Sequence, residues 1–189
     1  APVSVLRLMH DVGALVHILP EAQHFDRLEA LAAIEENGPD PVLRLAALIE
    51  TDKAGALKIS QRLRHSNHDR DRLAGLCVDG GMITEDITEV DQRRSIYRFG
   101  NPLYCDLVLL SWAEQPNADY RAVLAYGRDW PRPEFPVRGS DVLALGVDRG
   151  PAVGQLVEQV EEWWIEEDFR PDRAACLEKL RKIASNPSA

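Results

Sequence analysis

Apolar residues recur every three or four positions along almost the whole chain, and almost nowhere do they alternate. That spacing gathers them on one face of a helix, whereas a half-buried strand needs a period of two. Val5, Leu8, Met9, Val12, Leu15 and Val16 form the first stripe, predicting a helix that Pro20 stops. A second helix is predicted from Phe25 to Glu36, ending at Asn37-Gly38. Asp40-Pro41 opens a third, with Asp40 as N-cap and Pro41 at the first helical position, where a missing N–H costs nothing. Thr84 to Thr88 is polar and reads as a turn, Asn101-Pro102 starts a Leu-rich helix, and a last helix is expected from Pro171 to Ile183. The fold class is therefore all-α, with about ten short helices in an irregular multi-helical body followed by a helical tail. Pro131, Pro133 and Pro136 make residues 131–136 a linker between a body at 1–130 and a tail at 137–189.

The chain has 189 residues and 45% apolar content, enough for a packed core and too much for a disordered chain. Its formal net charge of −9 argues against coating nucleic acid by bulk attraction, but a local basic patch on an acidic body remains compatible with it. Cys77, Cys105 and Cys176 are scattered and odd in number, so buried reduced thiols and a cytoplasmic location are expected. No apolar run reaches the ~20 residues of a membrane span, so no membrane partner is expected. The first residues run directly into a helical pattern and read as a cut edge rather than a natural beginning.

Three groups of residues could carry chemistry. His10, His17 and His24 recur every seven positions and His10 precedes Asp11, which raises a metal-dependent HD-type phosphohydrolase. That chemistry needs several ligands converging on a metal, and no supporting set is evident. Ser140 precedes a short apolar-periodic run and reads as an N-cap, and the acids from Glu158 to Asp168 read as the solvated face of a helix whose buried stripe is Leu156, Val157, Val160 and Trp164. The basic residues are the third group. Lys58, Arg62, Arg64, Arg70 and Arg72 cluster around one helix turn, and Arg93 and Arg94 follow on another helix. Side by side, the two sets would form one patch fit for a phosphate backbone; the competing reading pairs them with Asp69, Asp71 and Asp91. At Gly150-Pro151 a helix starts with free N–H groups, a natural phosphate seat or simply a tight helix–helix turn.

Several stretches together resemble one family. They are "LRLMHDVGALVHILPEAQHFDRLEAL" at 6–31, "DPVLRLAALI" at 40–49, "RLRHSNHDRDRL", "RRSIYRFG" and the long "FPVRGSDVLALGVDRGPAVGQLVEQVEEWWIEEDF". In the last, Gly139, Asp141, Gly146, Gly150, Pro151 and Gly154 precede the pair Trp163-Trp164. The series resembles the body and tail of bacterial class II CCA-adding tRNA nucleotidyltransferases and poly(A) polymerases. That resemblance implies an RNA-binding C-terminal portion holding tRNA, or another RNA 3′ end, by shape and phosphate contacts. Lys58, Arg62, Arg64, Arg70, Arg72, Arg93, Arg94 and Gly150 would be the backbone contacts. Family members carry a catalytic head before this region, with a Gly-Ser motif and a metal-binding Asp-x-Asp pair, then a neck with Glu-Asp-x-x-Arg. The matched stretches begin after both, so no catalytic residue is assigned and the fragment alone is expected to be inactive. No cofactor is expected in the fragment itself, Mg2+ and CTP or ATP belonging with the head, which is also an expected partner. A stand-alone helical interaction module without RNA binding is the alternative.

Overall fold

The computed structural model describes residues 2–36, 38–78 and 83–185. Every regular element among them is helical, as the three-to-four spacing requires, and the sole extended pairing is an isolated bridge between Ala22 and Ile49. The chain divides into two compact units, Ala1–Trp130 and Pro131–Ala189.

The first unit holds eight α-helices among its described residues: α1 Pro2–Asp11, α2 Phe25–Ile34, α3 Pro41–Leu48, α4 Lys53–Arg62, α5 Asn67–Leu76, α6 Glu89–Phe99, α7 Asn101–Glu114 and α8 Arg121–Asp129. Their starts follow from short polar side chains that take up otherwise unpaired amides. The Asp40 carboxylate accepts from the Val42 and Leu43 amides, both at 3.0 Å, and Asp52 accepts from Gly55 at 2.7 Å. Ser66 and Thr88 do the same for Asp69 and Asp91. Gly100, at φ 79°, sits in the left-handed region between α6 and α7, a conformation that costs a glycine little.

The first helix departs from the sequence expectation. It ends at Asp11, well before Pro20, because Gly13 turns the chain with φ 72°, and only a single 3-10 turn, Leu15–His17, follows. The predicted stripe is correspondingly split. Leu15 is buried, but Val5, Leu8, Val12 and Val16 are exposed.

Helix α7 is the axis of the unit. It is apolar nearly all round and packs against α2, α3, α5, α6 and α8, which is the behaviour of a buried helix. Its own Tyr104 and Val108 are fully buried, as are Leu31, Ile59, Leu73 and Ile96 of other helices in the same core. At Gly127 the backbone of α8 comes so close to α7 that an added Cβ would lie 2.6 Å from the Tyr104 ring. Two long-range caps close helix ends. Arg27 donates to the carbonyls of Ala46, Ala47 and Ile49 at the end of α3, and Asn101 donates to those of Gly127 and Trp130 at the end of α8.

The second unit comprises α9 Gly139–Leu143, α10 Pro151–Glu166 and α11 Arg173–Ser185. Val142, Val160, Trp164, Cys176 and Leu180 form its core. The stretch read as a linker also joins this core through Phe135, whose ring lies 5.4 Å from that of Trp164. Ser140 is not the cap of α9, because it lies inside the helix; Asp141 instead accepts from the backbone amide of Arg138 at 2.8 Å. Arg173 donates to that same carboxylate at 2.6 Å and to the Pro136 carbonyl, so Asp141 is held below the usual carboxylate range. Of the predicted apolar stripe on α10, Val160 and Trp164 are buried while Leu156 and Val157 are half-buried.

Candidate functional site

Helices α4 and α5 pack against one another more extensively than any other pair in the first unit, with Lys58 and Arg62 on α4, Arg64 in the turn between them and Arg70 on α5. Helix α6, which carries Arg93 and Arg94, packs instead on α7 and α8. The two basic groups are therefore not on adjacent helices. Gly150 belongs to the second unit.

Ion pairs divide the seven predicted cations. Arg62 reaches Glu21, 41 residues away in sequence. Arg70 pairs with Asp71 at 2.8 Å and donates to Asn67. Arg93 bonds Glu89 and the Tyr126 hydroxyl, at 3.3 and 3.0 Å, and Arg94 lies 3.6 Å from Asp91. Lys58 and Arg64 are exposed and have no carboxylate partner among the described residues.

Arg72 has a different role. Its Nε donates to Asp106 and its Nη1 to Asp40, both at 2.7 Å, so one guanidinium ties the cap of α3 to the middle of α7. Its side chain is only 23% exposed, and its own pKa is pushed up by the Asp106 hydrogen bond. Burial raises the Asp106 carboxyl despite this pairing. At Asp40 burial also raises, but the Leu43 amide and Arg72 outweigh it and hold the group below its ordinary range. Arg72 is a structural tie, and its charge is neutralised before any ligand arrives.

The start of α10 has Gly150 in extended backbone, φ 161° and ψ −170°, with Pro151 at the first helical position. An added Cβ at Gly150 or Gly154 would meet nothing within 4 Å, so neither glycine is required by close packing. Gly146, at φ 86°, is the member of this series that the backbone does require.

The histidines do not converge. His10 and His17 are exposed, His24 faces Glu50 at 3.7 Å, and His10 sits edge-on against the Phe25 ring. Among the described residues no group of three His, Cys, Asp or Glu side chains is placed to hold a metal ion. Cys176 is buried and Cys77 and Cys105 are half-buried. Burial pushes the Cys77 thiol up to about 11, which disfavours a reactive thiolate.

Two features were not anticipated. Val5, Leu8, Val12, Val16 and Ile18 leave a run of apolar side chains, each at least half exposed, along α1 and the turn after it. Lys53 and Arg70 share a cavity of about 530 Å3 between α4 and α5, lined also by Leu57 and Ala74. Helical spacing could not separate the first from a core stripe, and the second depends on residues 17 positions apart. No helix among the described residues is long and apolar enough to cross a membrane.

Comparison with known proteins supplies the remaining observation. The chain resembles CCA tRNA nucleotidyltransferases over nearly its whole length. It is 24% identical to the Mus musculus protein named CCA tRNA nucleotidyltransferase 1, mitochondrial, with 94% of this chain and 42% of that protein covered. The Homo sapiens protein of the same name is 22% identical over the same shares. An uncharacterised 28 kDa protein of Rhodospirillum rubrum is 32% identical, with 44% of this chain and 36% of that protein covered. No family model matches. The chain thus spans less than half the length of these curated relatives, and its relationship to the nucleotidyltransferases is distant.

Proposed function

We propose that this chain is the helical C-terminal, RNA-holding portion of a CCA-adding tRNA nucleotidyltransferase or poly(A) polymerase of the bacterial class II type. The observation that carries this reading is the similarity across 94% of the chain to two tRNA nucleotidyltransferases that are more than twice as long. The α4–α5 corner meets the phosphate backbone of an A-form stem through Lys58, Arg62, Arg64 and Arg70. An A-form duplex hides its base edges in a deep narrow groove, so shape and backbone contacts are the means of holding it. Arg93 and Arg94 on α6, and the α10 start at Gly150, are secondary contacts. With a net charge of −9, attraction is confined to such corners. Nucleotide transfer itself, with Mg2+ and CTP or ATP, belongs to a catalytic head, and no chemical step is assigned to residues of this chain.

The exposed apolar face of α1 supports a second surface. Contiguous apolar patches of this kind mark protein contacts. In the first reading that contact is the enzyme's own head. In the alternative the chain is an interaction module, and the patch is its whole function.

Neutralising Lys58 and Arg62 together, as Lys58→Gln with Arg62→Gln, tests the assignment. Binding of a tRNA transcript is followed from 50 to 200 mM salt by filter retention. The expected result is affinity about tenfold lower at the low-salt end and a log–log salt slope shallower by about 2. Unchanged affinity and slope would remove these residues from the interface. Absence of any tRNA affinity in the parent chain at low salt would leave the interaction module standing.

A further inference from the structure

We infer that Arg64 is the leading phosphate contact of the α4–α5 corner, held there in a left-handed backbone conformation that the fold does not need an arginine to adopt. The inference rests on the RNA-holding reading and names the residue that leads its contacts.

Helix α4 closes with a pair of hydrogen bonds beyond its last residue. The amide of Arg64 donates to the Gln61 carbonyl at 3.2 Å and that of His65 to the Ser60 carbonyl at 2.9 Å. This closure puts the residue at position 64 in the left-handed region, where φ is 57°. Glycine is the ordinary occupant of that position because a Cβ crowds the following carbonyl there. A non-glycine residue that persists in it invites a search for what its side chain supplies.

Three non-glycine residues among those described have positive φ, and the other two have structural reasons. Phe169, at φ 62°, sets its ring edge-on against Trp164 with centroids 5.0 Å apart. Asp168, at φ 58°, has a side chain only 13% exposed that pairs with Arg170. Arg64 has neither. Its side chain is exposed and meets no carboxylate among the described residues. Its neighbours Arg62 and Arg70 are both paired. The fold therefore gains nothing visible from an arginine here, whereas an anion approaching the corner does.

The geometry also says how the anion is met. The start of α5 at this corner is already occupied, since Ser66 takes the Asp69 amide and the Asp69 carboxylate sits beside it, bonded to the Ser66 hydroxyl. That carboxylate repels a phosphate from the helix amides. The contact falls to a cationic side chain projecting from the turn, and a guanidinium, with its fork of donors, suits phosphate oxygens. Lys58, likewise unpaired among the described residues, is on α4, which leads into this turn.

The experiment compares Arg64→Gly and Arg64→Lys with the parent 189-residue chain. Each is assayed by thermal melting and by binding of an unmodified tRNA transcript lacking its terminal CCA. Arg64→Gly is expected to melt about 2–4 °C higher, because the left-handed cost is relieved. It is also expected to bind about threefold more weakly near 100 mM salt, with a slope shallower by about 1. Arg64→Lys should keep the parent slope. A glycine variant that binds the transcript like the parent overturns the inference and leaves the general RNA reading intact. A glycine variant that melts lower than the parent overturns the argument from backbone conformation. A parent chain that does not bind the transcript at all removes both readings, which separates that failure from the first.

Discussion

Trp164→Ala should unfold the second unit. Trp164 is 3% exposed, its ring lies 5.0 Å from Phe169 and 5.4 Å from Phe135, and its indole N–H donates to the Pro171 carbonyl at 2.9 Å. Truncating a buried tryptophan to alanine costs about 3–5 kcal/mol through lost burial and the cavity left behind. Loss of the indole hydrogen bond leaves the Pro171 carbonyl with only the weak Cys176 thiol as donor, at 3.8 Å, and adds about 1 kcal/mol. A unit of roughly 60 residues has a small core, and its whole stability is of the order of 3–5 kcal/mol. The loss thus equals or exceeds what holds the unit together. Limited proteolysis should show new cuts within α10 and α11 and none within α2 to α8, whose core contains none of these side chains. Protection of α10 and α11 at the parent level would show that Trp164 is not the keystone of that unit.

Arg72→Ala should be the most damaging single change to a polar residue in the first unit. One guanidinium pairs with both Asp40 and Asp106, which come from two different helix regions. Without it the Asp106 carboxylate, whose side chain is 13% exposed, is left uncompensated among apolar neighbours on α7. Removing one partner of a buried ion pair costs about 3 kcal/mol or more, a fall in Tm of roughly 10 °C for a domain of this size. The pH dependence has a definite sign. Burial raises the Asp106 carboxyl in the folded state above its unfolded value, so the folded state holds the proton more tightly. Losing Arg72 widens that gap. The deficit of the variant should therefore shrink as the pH falls and grow as the pH rises through the folded-state pKa of Asp106. Asp40 adds to the same trend. Its carboxyl is depressed in the folded state, so its contribution is present above its unfolded pKa and lost as the pH falls through the folded pKa, and the part that disappears with Arg72 is again a deficit that shrinks on acidification. A triple variant, Arg72→Met with Asp106→Leu and Asp40→Asn, keeps a side-chain acceptor at the cap and should recover most of the loss. A melting temperature unchanged by Arg72→Ala would refute the role assigned to this tie.

The proposed contacts Lys58, Arg62, Arg64 and Arg70 were legible as a run of cations on α4, α5 and the turn between them, because the turn is local in its causes. Arg72 was legible as a cation but not as a structural one. Its two carboxylates are 32 and 34 residues away in opposite directions along the chain. The same holds for Arg62 and Glu21. Adjacent aspartates in sequence suggested local pairing for the whole group, and this describes Arg70 and Arg94 but neither Arg62 nor Arg72.

By itself the sequence determined the helical class and most helix starts, because periodicity, N-caps such as Asp40, and prolines at the first helical position act within one or two turns of backbone. Only the tertiary structure decided which stripe is a core and which a surface. Val5, Leu8 and Val12 have the spacing of buried residues yet face outward, since burial requires a second element opposite them and the described chain supplies none. It decided as well which cations remain available to a ligand, because a charge is neutralised by whatever packing brings within a few ångströms, and packing joins residues that the sequence keeps far apart.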